Sequence, residues 1–255
     1  MIAISLQSGS NGNCIYVESH GVRLLLDAGI SGKQAEQRLA AHGRDIRSVH
    51  AIILSHDHAD HVRSAGIFQR KFKLPIYVTP ATLAAARNWC DLGELHDVRL
   101  FRSGAVLEFG EVAVRTLPTP HDAADGVGFV VQAGGARLGV LTDLGHVFDS
   151  LAQAVATLDG VILESNYDEE MLEHGAYPYF LKQRIRGPHG HLSNAEAARL
   201  LLEQGRRRLR WAYLAHLSQE NNTPELALSA HRHALGAAFP LRVASRYHAS
   251  EVMEL

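Results

Sequence analysis

The chain has 255 residues, 25 Lys+Arg against 27 Asp+Glu, and a formal net charge of -2. With 46% hydrophobic and 20% charged residues it reads as globular, which excludes a disordered tail, a collagen and a coiled coil. No apolar run approaches the roughly 18–20 residues of a membrane helix. The opening Met1–Leu6 carries neither a basic region nor a cleavage-like site. Two cysteines, Cys14 and Cys90, make no disulfide framework and no zinc-type pair, so the expected compartment is a reducing cytoplasm.

Apolar alternation and turn residues predict a hairpin from Cys14–Val17 and Val22–Leu26, then strands at Val49–Leu54, Ile76–Val78 and Val112–Leu117. A second hairpin, Val127–Gln132 with Arg137–Leu141, turns at Ala133-Gly134-Gly135-Ala136. Val161–Leu163, Trp211–Leu214 and Leu241–Ala244 complete the strands. Helical patterns fall at Gly32–Ala41, Val62–Phe72, Ala81–Trp89, Ser150–Leu158, Asn194–Gln204 and Pro224–Leu235. Ser193 followed by Glu196 has capping-box spacing, and Pro224 suits a first helical position. Hairpins early and strand–helix alternation late predict sheets covered by helices in one domain, 1–255.

Sixteen histidines are many for this length, and their spacing carries the chemistry. After the strand Val49–Leu54 comes Ser55-His56-Asp57-His58-Ala59-Asp60-His61, four metal-binding side chains within six residues. Such a run arises by chance in roughly 0.3% of chains this rich in histidine. Imidazole with carboxylate suits Zn²⁺, Mn²⁺ or Fe²⁺. His121, Asp143 and His216 each follow a predicted strand, where side chains converge on one sheet edge. Together these residues predict two divalent ions. Gly9–Gly12 lacks a phosphate-loop pattern and reads as a turn, and no G-x-S-x-G elbow supports a serine hydrolase.

In order, Asp27, the His56/His58/Asp60/His61 run, His121, Asp143 and His216 resemble the five motifs of the metallo-β-lactamase-fold hydrolases. The resemblance implies an α/β (α+β) four-layer αββα sandwich with a dinuclear site at one edge. It implies His56, His58 and His121 on one metal, Asp60, His61 and His216 on the other, and Asp143 bridging. Asp27 would orient imidazoles without touching metal. Two ions can hold a bridging hydroxide near neutral pH, with Asp60 to orient it or take its proton. The flavo-diiron relatives carry Glu where His58 stands, which disfavours redox chemistry.

The fold hosts several hydrolyses, so the surroundings must choose among them. Gly190–Asn194 precedes a predicted helix, where amides, His191 and Ser193 would seat a phosphate. Glu164 ends a strand and could pair with His191 to supply a proton to a leaving alkoxide. Lys182 to Arg210 holds eight cations, Lys182 and Arg184 among them, against Glu196 and Glu203, which points to a polyanion. Ser8–Asn13, Glu164–Leu172, Tyr177-Pro178, Gly190–Asn194 and His216–Asn222 resemble the YycJ/WalJ branch. That branch implies 5′-to-3′ exonuclease activity on double-stranded DNA, with phosphate contacts through Ser193, Asn194, Lys182 and Arg184. Branch members carry His where Tyr167 stands here, which puts a metal or proton role at that position in doubt. The rival readings are a hydrolase of small esters, thioesters, lactones or cyclic nucleotides, and a binding module that keeps metal only for folding.

Overall fold

The computed structural model describes residues 1–255. Two seven-stranded sheets organise it. The first is built from β1 (Ile2–Gln7), β2 (Cys14–Ser19), β3 (Val22–Leu26), β4 (Ala51–Ile53), β5 (Ile76–Val78), β6 (Val98–Leu100) and β14 (Met253–Glu254). The second is built from β7 (Val106–Phe109), β8 (Val112–Pro118), β9 (Val127–Ala133), β10 (Ala136–Leu141), β11 (Gly160–Glu164), β12 (Trp211–Ala215) and β13 (Leu241–Val243). Their orders are β14-β1-β2-β3-β4-β5-β6 and β13-β12-β11-β10-β9-β8-β7. In both sheets an antiparallel part adjoins a parallel part: β3 to β6 are parallel in one, β10 to β13 in the other.

Strand alternation splits each face between two cores. Leu24 and Leu26 meet Phe129, Val131 and Ile162 between the sheets, while Leu25 turns outward. The outward face packs under α1 (Gly32–Ala41), α3 (Ala65–Phe72) and α4 (Pro80–Trp89) through Leu39, Phe68 and Ala86. On the far side Leu141, Val161 and Leu214 pack under α5 (Asp149–Val155), α8 (Asn194–Leu200) and α9 (Pro224–Leu235). The result is the four-layer αββα sandwich expected.

The expected helix Val62–Phe72 is two helices. A single turn, α2 (Ala59–Val62), starts three residues early and carries Asp60 and His61, and α3 follows after a break. The break has a cause: the Ser64 amide donates to the Ala28 carbonyl at 3.0 Å instead of continuing the helix. The expected Asn194–Gln204 ends its α-helical part at Leu200 and continues as a π turn, Leu201–Gly205. The Ser193/Glu196 capping box is formed, and Pro224 opens α9. Glu169-Glu170, a pair that reads as a helix start, opens α6 (Glu169–His174), whereas α7 (Tyr179–Arg186) was not expected. No helix is long and apolar enough to cross a membrane.

His231, on the buried side of α9, donates Nδ1–H to the Ala227 carbonyl and leaves Nε2 buried without a partner. Burial pushes its pKa down to about 4, so the folded protein holds it neutral. The unfolded chain takes up that proton below about pH 6.5, so stability is lost as pH falls from there toward 4. At pH 5 His231→Leu should therefore exceed the parent by roughly 2 kcal/mol more than at pH 7. Urea unfolding of both proteins at the two pH values measures this, and an unchanged difference would refute it.

Candidate metal centre

Every candidate ligand lies at or beyond the C-terminal end of a strand, either in the loop that follows or, for Asp60 and His61, in the single-turn helix α2 after β4. Asp27 follows β3, His56 and His58 follow β4, His121 follows β8, Asp143 follows β10 and His216 follows β12. Asp27, Asp143 and His216 hold left-handed backbone, with φ of 65°, 58° and 53°. Such φ values are sparsely populated for residues other than glycine and cost about 1–3 kcal/mol each. In this fold they turn the chain sharply off a strand and aim its next side chain across the edge.

The donors fall into interlocking groups. His56, His58 and His121 form one, and Asp60, His61 and His216 another, each with ligand atoms within 4.8 Å of one another. Asp143 lies between them, 3.3 Å from His61 Nε2, 3.4 Å from His216 Nε2 and 3.7 Å from His121 Nε2. His56 Nε2, His121 Nε2 and Asp143 Oδ2 are buried with no hydrogen-bond partner. Orphaned donors of these types facing one another are costly unless a cation joins them, and imidazole with carboxylate suits a divalent ion. The residues therefore fit the divalent metal that the fold implies.

Electrostatics agree with that use. Burial pushes His56, His121 and His216 below the ordinary imidazole pKa, toward the neutral form that ligates a metal. Asp143 stays ionised despite complete burial, because His216, His61, His56 and His121 surround it. For His61, burial works against charge, but Asp27, Asp143 and Asp60 together raise its pKa well above the ordinary value. Asn13 pulls the other way, its Nδ2 lying 2.9 Å from His61 Nε2 and favouring a lone pair there. A divalent ion would take the place of the disputed proton.

Behind the cluster lies a support shell. Asp27 Oδ2 accepts from His61 Nδ1 at 2.6 Å and from Ser55 Oγ at 2.9 Å, and its Oδ1 accepts from the Ser55 amide at 2.7 Å. His121 Nδ1 is 2.9 Å from the Gly190 carbonyl. Asn13 Nδ2 donates to Asp60 Oδ2 at 3.1 Å, and Ser8 Oγ accepts from the His216 amide at 2.9 Å. Gly29 permits this fit: a Cβ there would lie 1.6 Å from the Asp60 carbonyl oxygen.

Beside the donors, His191 Nδ1 is 2.6 Å from Glu164 Oε1, and Glu164 Oε2 accepts from the amides of Leu144 and Leu192. For His191, burial opposes the charge, but Glu164, Asp143 and Asp122 outweigh it and bring the pKa to about 9. A cavity of about 220 Å³ opens over these groups, walled by Ser10, His58, Asp60, His121, Asp122, Asp143, Arg184, His191 and His216 among others.

The family described as the beta-lactamase superfamily domain matches residues 22–216, a span holding all seven candidate ligands. The chain belongs to the beta-lactamase superfamily. It is 36% identical over 224 residues to the exodeoxyribonuclease WalJ of Streptococcus pneumoniae, covering 87% of this chain and 83% of WalJ. It is 35% identical over 222 residues to the exodeoxyribonuclease YycJ of Bacillus anthracis, covering 87% and 84%. The crystal structure of Zn²⁺-bound PqqB from Methylobacterium extorquens superposes with a TM-score of 0.76 at 19% identity, covering both chains fully.

Within the superfamily fold several expected substrate contacts are placed elsewhere. Ser193 and Asn194 are buried, and their polar groups are already used. Ser193 caps α8 and donates to Glu169, while Asn194 bonds Ser165 and Asn222. The Gly190–Asn194 segment therefore offers His191 to the cavity but not the expected phosphate seat. Lys182 turns to the Glu173 carbonyl, whereas Arg184 reaches the cavity and pairs with Asp122 at 2.5 Å. Elsewhere in the basic stretch Arg186 pairs with Glu173, Arg199 with Glu203 and Arg208 with Asp159, while Arg206, Arg207 and Arg210 stay exposed without an ion pair. Tyr167 is buried and does not line the cavity; its backbone pairs with Ser193. The sequence reading missed Asn13, Ser55 and Asp122, although each adjoins a motif it had singled out.

Asp27→Asn tests the support shell. Asparagine tolerates the left-handed backbone, but its amide would oppose the His61 Nδ1–H and drive the proton to Nε2, the atom that faces the cluster. Metal retention against a competing chelator should fall about 10- to 100-fold. An unchanged circular dichroism spectrum would show the fold intact, and equal retention would show that Asp27 does not set the His61 tautomer.

Proposed function

We propose that the chain is a divalent-metal-dependent phosphodiesterase that degrades double-stranded DNA from 5′ ends toward 3′. The observation that carries this is the joint placement of two donor sets around Asp143 and a His191–Glu164 pair over one small polar cavity. The exodeoxyribonuclease relatives support the same reading. Two ions, on His56/His58/His121 and on Asp60/His61/His216 with Asp143 between, would supply Lewis acidity to phosphate oxygens and lower the pKa of water. Zn²⁺, Mn²⁺ and Fe²⁺ all suit this donor set.

The chain's own residues do the rest. Asp60, anchored through Oδ2 by Asn13, orients the attacking water and accepts its proton. His191, its Nδ1 held by Glu164, presents Nε2 to protonate the leaving 3′ oxygen as the P–O3′ bond breaks. Arg184, braced by Asp122, meets the phosphate backbone at the mouth. Pockets for whole small ligands run to about 300–1,000 Å³ with largely apolar walls. Here about 220 Å³ has only Leu181 and Ile185 as apolar wall, which suits one phosphate of a larger substrate. The catalytic unit is the whole chain, because both sheets supply ligands, and free Cys14 and Cys90 fit work in a reducing cytoplasm.

Metal-stripped protein reloaded with Mn²⁺ should shorten end-labelled duplex stepwise from its 5′ ends. His58→Ala should lose this activity by about 10³-fold while keeping its fold. Raising salt should weaken DNA binding steeply, with log K falling linearly in log salt. Hydrolysis of small esters with no attack on any polymer under Mn²⁺ or Zn²⁺ would overturn the nuclease assignment.

A further inference from the structure

The helix α7 forms one wall of the cavity through Leu181, Arg184 and Ile185, yet none of its residues is buried. At its first turn two consecutive aromatic side chains stand in solvent, Tyr179 76% and Phe180 72% exposed. Adjacent aromatics exposed to that degree mark a surface that gains by being covered. Phe180 is four residues from Arg184, about 6 Å along the axis, so the two are neighbours on the helix surface. The cavity itself is polar, with only Leu181 and Ile185 as apolar wall, and suits a phosphate better than a nucleobase.

We propose that Phe180, with Tyr179, is a stacking platform for the nucleobases next to the phosphate held in the cavity. This rests on the nuclease reading and adds how the substrate strand is gripped. Every base has a π face, so such a platform accepts any sequence. Charge points to a nucleic-acid strand and not to a second copy of the chain: α7 carries Lys182, Arg184 and Arg186 and no acid. The platform is also braced in advance. Arg184 is fixed to Asp122, Arg186 to Glu173 and Lys182 to the Glu173 carbonyl, and the Ile185 carbonyl accepts from the His191 amide at 2.9 Å. That last bond ties the platform to the residue proposed to protonate the leaving group.

The test uses the metal-loaded full chain and duplexes with phosphorothioate-blocked 5′ ends, carrying 2-aminopurine or an abasic site at the terminal positions. Tyr179→Ala/Phe180→Ala should weaken binding about 10- to 100-fold and abolish 2-aminopurine quenching, while Phe180→Trp preserves both. An abasic end should weaken wild-type binding by a similar factor and the double variant no further. Wild-type binding and quenching in the double variant would overturn the platform while leaving the nuclease reading intact. An equal loss on abasic and normal ends would also overturn it. So would dissociation of a wild-type dimer in the double variant, which would make the aromatics a contact between copies. Absence of both DNA binding and cleavage by the wild type would overturn the nuclease reading and the platform together.

Discussion

A carboxylate removed from water must find positive charge, and Asp143 sets that condition at the centre of the molecule. It is 3% exposed, and one of its oxygens has no hydrogen-bond partner. An uncompensated buried charge would cost several kcal/mol. The surrounding side chains are arranged to avoid that cost. Imidazoles approach it from three directions, and each is held at its far side or through its backbone, by Asp27, the Gly190 carbonyl or Ser8.

The sheets explain how such a density of charge is assembled. In a parallel strand the chain leaves the sheet at the C-terminal end and must turn there, so consecutive strands deliver their following residues to one edge. Both sheets do this on the same side. The left-handed turns at Asp27, Asp143 and His216 are local strain that the three cores below them hold in place. Aspartate and histidine reach that conformation more readily than most residues, but it is still a minority state that the fold has to select.

Sheets covered by helices and a metal-binding run were legible because their signals are short-range, while the four-layer sandwich and the full set of seven donors followed from the resemblance to the family motifs. The run from His56 to His61 and the strands before His121, Asp143 and His216 can be read from neighbouring residues alone. The misses have physical reasons. Helix α7 is eight residues long and buries no side chain fully; its apolar spacing, Leu181 and Ile185, spans a single turn, too little to register. Strands β6 and β14 are three and two residues long, and β6 is half-buried at best, too little for an alternation to register. The break before α3 depends on Ala28, far away in sequence. Ser193 and Asn194 look like an anion seat until the capping box and the Asn222 network are seen to occupy them. A local motif names the groups present; it does not say which of them the fold has already satisfied.

A cluster drawn from residues as distant as Asn13 and His216 also fixes when a metal can enter. Asp27 and the His56–His61 run meet within one sheet, but His121, Asp143 and His216 follow strands of the other, so the set is complete only once both sheets have docked. The full donor set is thus gathered by the packing of large cores, unlike small zinc domains that fold around their metal. For a set of imidazoles and carboxylates, which suits several divalent ions, availability more than affinity selects the ion.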